Sequence, residues 1–290
     1  MNRKEFLKIF AFGGMSLLTT SVFGKSINYR ISKLKKNIGF NHIPNLKEEL
    51  NNIIIHKANT RNKADFGWLK VNHTFSFANY YNPDRMSFGA LRVLNDDIIS
   101  GGKGFSTHPH DNMEIITIPL DGALKHEDNM GNHGVIRKNE IQVMSAGTGI
   151  THSEFNANNT KEAKVLQIWL YPDKKNVKPR YQQMSLNTDK KLNQLYQILS
   201  PNKYDQGVWI HQNAWFSLGH FNTKNKIKYR LNDNTNGVYI FILEGDVEIQ
   251  GNKLNKRDGI GIWNVNEIEL STAKNSELLL MEIPMNSKIQ

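Results

Sequence analysis

Four side chains in two short segments have the types and spacing to hold a metal ion. His108-Pro109-His110 and His152-Ser153-Glu154 supply three imidazoles and one carboxylate, each pair spaced i, i+2. On a β-strand, residues two apart point to the same face. Two neighbouring strands would then aim His108, His110, His152 and Glu154 at one point. Imidazole suits zinc, copper, iron and nickel, and a carboxylate shifts the choice towards iron, nickel, manganese or zinc. Four protein ligands around an octahedral ion leave two adjacent positions for a substrate and dioxygen. A lone histidine near a turn is ordinarily a surface residue. Here five of the ten histidines fall between His108 and His152, which favours a metal site.

Such an arrangement needs strands, and the chain supplies many short ones. Residues 53–55, 68–71, 74–77, 89–94, 114–120, 141–144 and 165–171 are β-type runs bounded by turn-forming residues. Asn82-Pro83-Asp84, Asn95-Asp96-Asp97, Asp121-Gly122 and Gly147-Thr148-Gly149 read as turns, and residues 127–134 as a polar reversal. Gly101-Gly102-Lys103-Gly104 lacks the following helix and the Gly-Lys-Ser/Thr ending of a phosphate loop. It reads as a turn that delivers the chain to the His108 strand.

The pattern occurs twice. Leu120-Asp121-Gly122 returns as Leu243-Glu244-Gly245, and residues 139–144 return as residues 258–263. Two β-rich halves with matching turn–strand order indicate an internal duplication, and short, evenly spaced strands indicate barrels or sandwiches. The second copy lacks the ligands: counting back from Gly245 by the first copy's distances reaches Leu231 and Asp233. No histidine follows His220, and His211 and His220 read as surface or packed residues.

The 290 residues include no cysteine, which excludes disulfides, thiolate metal sites and cysteine nucleophiles. The formal net charge of +10 invites a nucleic-acid reading. Its distribution argues against one. Residues 1–51 carry nine Lys/Arg and three Glu, a net of +6, leaving +4 for the rest of the chain without a basic stripe. Residues 1–24 read as an export signal, with Arg3, Lys4 and Lys8 before the 16 uncharged residues 9–24. That stretch is short for a membrane span, which needs about 20 residues. Arg3-Lys4-Glu5-Phe6-Leu7-Lys8 is similar to a twin-arginine signal with Lys in place of the second Arg. Cleavage is expected near Lys25, with residues 25–51 as a tether, a periplasmic or otherwise exported location, and no membrane span in the processed chain.

Residues 108–114, 128–132 and 144–154 resemble the pirin family of bicupins. The runs His73-Thr74-Phe75-Ser76-Phe77-Ala78-Asn79-Tyr80-Tyr81 and Leu91-Arg92-Val93-Leu94-Asn95-Asp96-Asp97 are similar to bacterial pirin-like quercetin 2,3-dioxygenases. The resemblance spans roughly residues 53–284. It implies an all-β fold of two cupin (jelly-roll) barrels packed face to face, here assigned to residues 52–180 and 181–290. It also implies one mononuclear metal in the first barrel, held by His108, His110, His152 and Glu154, with Glu114 outside the coordination shell. Fe(II) is the expected ion, with Ni, Mn, Co, Zn and Cu as alternatives. The implied activity is oxygenative cleavage of a flavonol by a monomeric enzyme, with Glu154 as the one ligand able to take a proton. The family also contains redox-sensing regulators that work through protein partners, and a catalytically silent metal-binding barrel is a third reading.

Overall fold

The computed structural model describes residues 52–186 and 191–286, so the export signal and tether lie outside the described residues. The first eleven strands are β1 Ile53–His56, β2 Asn62–Asp65, β3 Leu69–His73, β4 Leu91–Ile99, β5 Gly104–His110, β6 Glu114–Asp121, β7 Ala123–Asp128, β8 His133–Arg137, β9 Glu140–Ser145, β10 Ile150–Asn156 and β11 Ala163–Leu170. The remaining eleven are β12 Arg180–Ser185, β13 Leu195–Ser200, β14 Val208–Trp209, β15 Trp215–Phe221, β16 Asn225–Arg230, β17 Asn236–Glu244, β18 Val247–Ile249, β19 Asn252–Leu254, β20 Gly259–Trp263, β21 Glu267–Thr272 and β22 Ser276–Pro284. One 3-10 turn, Ala58–Thr60, is the sole helical element among the described residues.

Each barrel is a seven-stranded sheet facing a four-stranded one. In the first, β12-β9-β6-β11-β4-β3-β2 faces β5-β10-β7-β8; in the second, β1-β20-β17-β22-β15-β13-β14 faces β16-β21-β18-β19. The two strand orders correspond through β9-β6-β11-β4-β3 and β20-β17-β22-β15-β13 and through both small sheets, as an internal duplication requires, and differ at the edges, where β2 pairs antiparallel and β14 parallel. The turns at Gly122 and Gly245 repeat too, with φ of +73° and +72°, a left-handed conformation that glycine adopts without a Cβ clash.

Hydrophobic patterning follows this layering. The four-stranded sheets have one solvated face, so their strands alternate; in β10, Ile150, His152, Glu154 and Asn156 are buried and the residues between them are not. The seven-stranded sheets are covered on both faces, by their own barrel interior and by the other barrel. Their strands are accordingly near-continuous apolar runs, as in Val238 to Leu243 of β17. Leu94, Ile116, Leu166 and Ile168 of the first large sheet join Phe216, Tyr239, Phe241, Leu279 and Met281 of the second in one buried cluster. Each such side chain contributes about 1.5–3 kcal/mol on burial, so the seam between barrels is a principal core. Asp96 sits at this seam, 3.5 Å from Arg61 Nη1 and 3.1 Å from Arg257 Nε.

The topology crosses the expected division at residue 180. β1 pairs with β20 of the second barrel, Ile53 opposite Ile262. β12 pairs with β9 of the first, Arg180 opposite Ser145. Each barrel thus receives one edge strand from beyond its own half. Two local expectations also change, and the expected reversal at residues 127–134 gains strand ends. Asn95-Asp96-Asp97 is not a turn but the middle of β4, because the barrel interior is polar at Asn95 and Asp97 while Asp96 turns outward to the two arginines. Residues 127–134 are the end of β7, a tight turn and the start of β8. Thr74 to Phe77 lies outside the strands, drawn into a loop in which Ser76 Oγ donates to the Asn82 carbonyl and accepts from the Asn82 amide.

Candidate metal centre

The four residues singled out by spacing come together inside the first barrel. β5 and β10 are neighbours, with His152 directly opposite His108 and Ile150 opposite His110. The register slips between His152 and Glu154. At that point Gly104 of β5 lies so close to β10 that a Cβ would sit 2.2 Å from the Glu154 carbonyl oxygen, so the approach requires glycine. All four side chains are buried, Glu154 and His152 at 2% exposure. Ring centroids lie 4.4 Å apart for His108 and His152, 4.9 Å for His108 and His110, and 5.0 Å for His110 and His152. One donor atom from each of these three histidines falls within 4.8 Å of the others.

The donors are in the protonation state a cation needs. Burial lowers the pKa of His110 to about 3, moves His152 well below the ordinary histidine value, and lowers His108 as well. All three are therefore neutral imidazoles at pH 7 with a lone pair to give. His108 Nδ1 lies 2.8 Å from the Ser106 carbonyl, which can only accept. The proton is thus on Nδ1 and the lone pair on Nε2, the outer-layer arrangement usual for a metal-binding histidine. Neither ring nitrogen of His152 has a hydrogen-bond partner although both are buried. Buried nitrogens without partners are costly, and a metal ion supplies the missing interaction. The donor set fits a divalent cation.

The facing sheet carries a row of polar side chains. Asn95, Gln167, Thr117 and Gln142 are successive cross-strand neighbours on β4, β11, β6 and β9. Gln167 Nε2 donates to Glu154 Oε2 at 2.9 Å, and Thr117 Oγ1 is 3.3 Å from Glu154 Oε1 and 3.1 Å from Gln167 Oε1. A small pocket opens beside the ligands, with Asn95 and Gln167 of this row on its wall. Asn95, Asp97, Phe77, Phe105 and Trp169 contribute to its lining together with His108, His110 and Glu154. Asn95 Oδ1 and Asp97 Oδ1 are buried without partners. Burial, with Asp96 and Glu154 nearby, raises the Asp97 pKa well above the carboxylate range.

Spacing alone did not find His126, Asn95 or Asp97. Donor atoms of His126, His152 and Glu154 form a second group within 4.8 Å of one another. His126-Glu127-Asp128 has the same i, i+2 spacing as the two ligand pairs, a signal available in the sequence. Glu114 is buried and accepts from Ser145 Oγ at 2.7 Å. His220 pairs with Glu277 at 3.0 Å and His211 packs on Trp209, so neither joins the cluster.

Two facing β-barrels with a buried histidine–carboxylate cluster in one of them define a bicupin metal protein. Residues 56–170 match the Pirin family model, and residues 197–283 match the quercetinase C-terminal cupin domain. The chain is 41% identical to the quercetin 2,3-dioxygenase of Escherichia coli K12 over 238 residues, 80% of this chain and 99% of that protein. It is 37% identical to a pirin-like protein of Caulobacter vibrioides over 220 residues, 76% and 94% of the two chains. The structure of the bacterial pirin YhhW from Escherichia coli in complex with nickel(II) matches with a TM-score of 0.76 at 39% identity, covering 80% of this chain and 99% of that one. The chain belongs to the pirin family.

Proposed function

We propose that the protein is a metal-dependent dioxygenase that cleaves quercetin-type flavonols with O₂, its ion held by His108, His110, His152 and Glu154. The observation that carries this reading is the buried cluster of neutral imidazoles and a carboxylate on the wall of a pocket that aromatic side chains also line. Relatives named quercetin 2,3-dioxygenase and the nickel complex of a pirin support it. When bound, a divalent ion acidifies an enolic hydroxyl and holds it in place for reaction. Fe(II) is the ion we favour, with nickel, manganese, cobalt, zinc or copper tolerated by the same donors.

The chain's own groups account for binding and proton handling. Phe77, Phe105 and Trp169 offer flat apolar walls to an aromatic substrate. Asn95 Oδ1 is an unpartnered acceptor for a substrate hydroxyl, and Asp97, whose protonated form burial favours, offers a second polar contact. Glu154 takes the substrate's proton. Thr117 has one hydroxyl proton to give and two oxygens within reach, Glu154 Oε1 and Gln167 Oε1. It donates to Glu154 when the carboxylate is charged. When Oε1 is protonated, Thr117 accepts from it and donates to Gln167. Both states of Glu154 are thus hydrogen-bonded without moving a heavy atom.

The test is metal-reconstituted protein assayed for flavonol disappearance together with O₂ uptake. Equal consumption of the two supports the reading. No turnover in protein holding a full equivalent of Fe, Ni, Mn or Co overturns it and leaves a metal-binding regulator. We also propose export, from the basic, then uncharged start of the chain. Fractionation and N-terminal sequencing check this: a mature periplasmic chain beginning near Lys25 supports it, and a cytosolic chain beginning at Met1 or Asn2 does not.

A further inference from the structure

A neutral imidazole that binds a metal through one nitrogen carries a proton on the other. That N–H needs an acceptor, and in metal proteins it almost always has one. His108 has its acceptor in the Ser106 carbonyl. For His152, buried at 2% exposure, no acceptor contacts either nitrogen.

The strand beside it offers one. β7 pairs with β10 with Asp128 opposite His152 and His126 opposite Glu154. His126 is wholly buried, with its ring centroid 5.3 Å from that of His152. Its tautomer is set from outside: Nε2 lies 3.2 Å from Asp128 Oδ2, so the proton is on Nε2 and the lone pair on Nδ1. Asp128 is itself fixed by the Met130 amide and by the amide and side chain of Asn132, all within 3.1 Å. The Tyr181 ring packs on the other side of His126, 4.8 Å away. Nδ1 of His126 is buried and has no partner. A buried acceptor without a donor therefore sits beside a ligand histidine that lacks an acceptor.

From this geometry we infer that His126 is a positioning residue of the metal centre. With an ion fixing the His152 ring, Nδ1 of His126 accepts that ring's N–H on the side away from the ion, completing a chain from Asp128 through His126 to His152. The chain orients the His152 ring, fixes which nitrogen faces the ion and strengthens that nitrogen as a donor. The inference rests on the metal reading of the site but not on catalysis.

Metal binding to the whole protein tests it, with Co(II) as the probe because its visible spectrum reports ligand geometry. His126→Leu fills the space but accepts nothing. It should weaken Co(II) affinity about 10- to 100-fold and shift the absorption bands, with one equivalent still bound at saturation. His126→Gln can give its amide N–H to Asp128 and its oxygen to His152, and should recover affinity to within about threefold with bands near those of the wild type. Asp128→Asn keeps one oxygen, which the Met130 and Asn132 amides claim, and so turns an NH₂ donor towards His126 Nε2; the proton then moves to Nδ1, and binding should weaken in the manner of His126→Leu. Leu binding within twofold of wild type, or Gln losing as much as Leu, overturns the inference. So does a wild-type stoichiometry of two that falls to one in His126→Leu, since His126 would then itself be a ligand. If His126→Leu shows no cooperative unfolding transition, His126→Gln and Asp128→Asn decide alone: Gln near wild type with Asn weakened supports the chain, and any other pair of results overturns it. Wild-type protein that binds no Co(II) overturns the metal reading instead.

Discussion

The two barrels share strand order and differ in what fills them. In the first, the small sheet points His108, His110, His126, His152 and Glu154 inward. The large sheet answers with Asn95, Gln167, Thr117 and Gln142. Apolar residues are confined to two clusters, one around Leu69, Phe105 and Leu124 and the other around Val93, Met144 and Trp169. In the second barrel, Ile227 and Leu270 face each other across β16 and β21, as do Tyr229 and Ile268. They pack with Ile240, Ile260 and Leu280 of the large sheet in one continuous core. The same scaffold therefore holds a polar belt between two apolar clusters in one copy and a continuous apolar core in the other, where the one wholly buried carboxylate, Glu282, is held by Tyr229, Asn232 and Asn236. Buried polar groups cost stability unless they are partnered. The first barrel carries that cost for its site, and the second supplies packing.

Substitutions that exchange these roles sharpen the contrast. The largest effect is expected at His152. His152→Ala should leave well under a tenth of an equivalent of metal at micromolar supply, by elemental analysis, and cut turnover by more than ~100-fold, beyond the 10–100-fold typical of outer-layer changes. The fold should survive, because no apolar packing is lost; a collapsed circular dichroism spectrum would contradict this. Next is Glu154→Gln, which keeps an oxygen donor but cannot take a proton. It should retain metal and lose about 10²–10⁴-fold in turnover. Wild-type turnover by the metal-loaded variant would remove Glu154 from the proton step.

The second barrel should behave in the opposite way. Leu270→Ala opens a cavity in its core and should cost about 2–5 kcal/mol by urea unfolding, with metal stoichiometry unchanged. A smaller gain is expected from Gln142→Leu. Both amide atoms of Gln142 are buried without partners, so an apolar side chain of similar size should stabilise the apo-protein by about 1–2 kcal/mol. No gain would mean that the polar belt is satisfied by ordered water.

The smallest effect is a pH slope. Burial lowers His56 to about 4 and His73 to about 4, in both cases with Arg61 adding to the shift. Unfolded, each binds a proton below about pH 6.5; folded, neither does until about pH 4. The unfolded state thus holds more protons across that window, and stability falls as pH drops from 6.5 to 4. His73→Gln should flatten the fall in thermal midpoint over those pH values, and an unchanged slope would rule His73 out as its source.

The legible parts of the site were those that break an apolar pattern at strand spacing. His108, His110, His152 and Glu154 stand out because each pair repeats at i, i+2 beside glycine turns. Asn95 and Asp97 do not, because Asn and Asp are the commonest turn formers and nothing local distinguishes a turn from a strand lining a polar cavity. β7 hid for a related reason: inward His126 alternates with outward Lys125 and Glu127, so the strand lacks the apolar–polar rhythm that marks a half-buried strand. Counting back to Leu231 and Asp233 failed for a length difference, since both lie beyond the end of β16 and the second copy's inward residues are Ile227 and Tyr229. The edge-strand exchange had no local signature, because pairing partners are set by the tertiary fold.

That exchange has a consequence in time. Ile53 pairs with Ile262, so 209 residues (262 − 53) must follow β1 out of the ribosome before its partner strand exists. At about 5–20 residues per second, this is a wait of roughly 10–40 s. The metal barrel can close earlier, since the last of its strands, β12, ends at Ser185. During that interval a nascent chain carries a closed first barrel with Ile53-Ile54-Ile55 trailing from it, an open edge able to pair with another chain. Completion of the second barrel removes this edge and ties the start of the fold to its end. A chain truncated before β20 would keep its metal ligands and still present a sticky strand, making loss of the last strands an aggregation defect before it is a catalytic one.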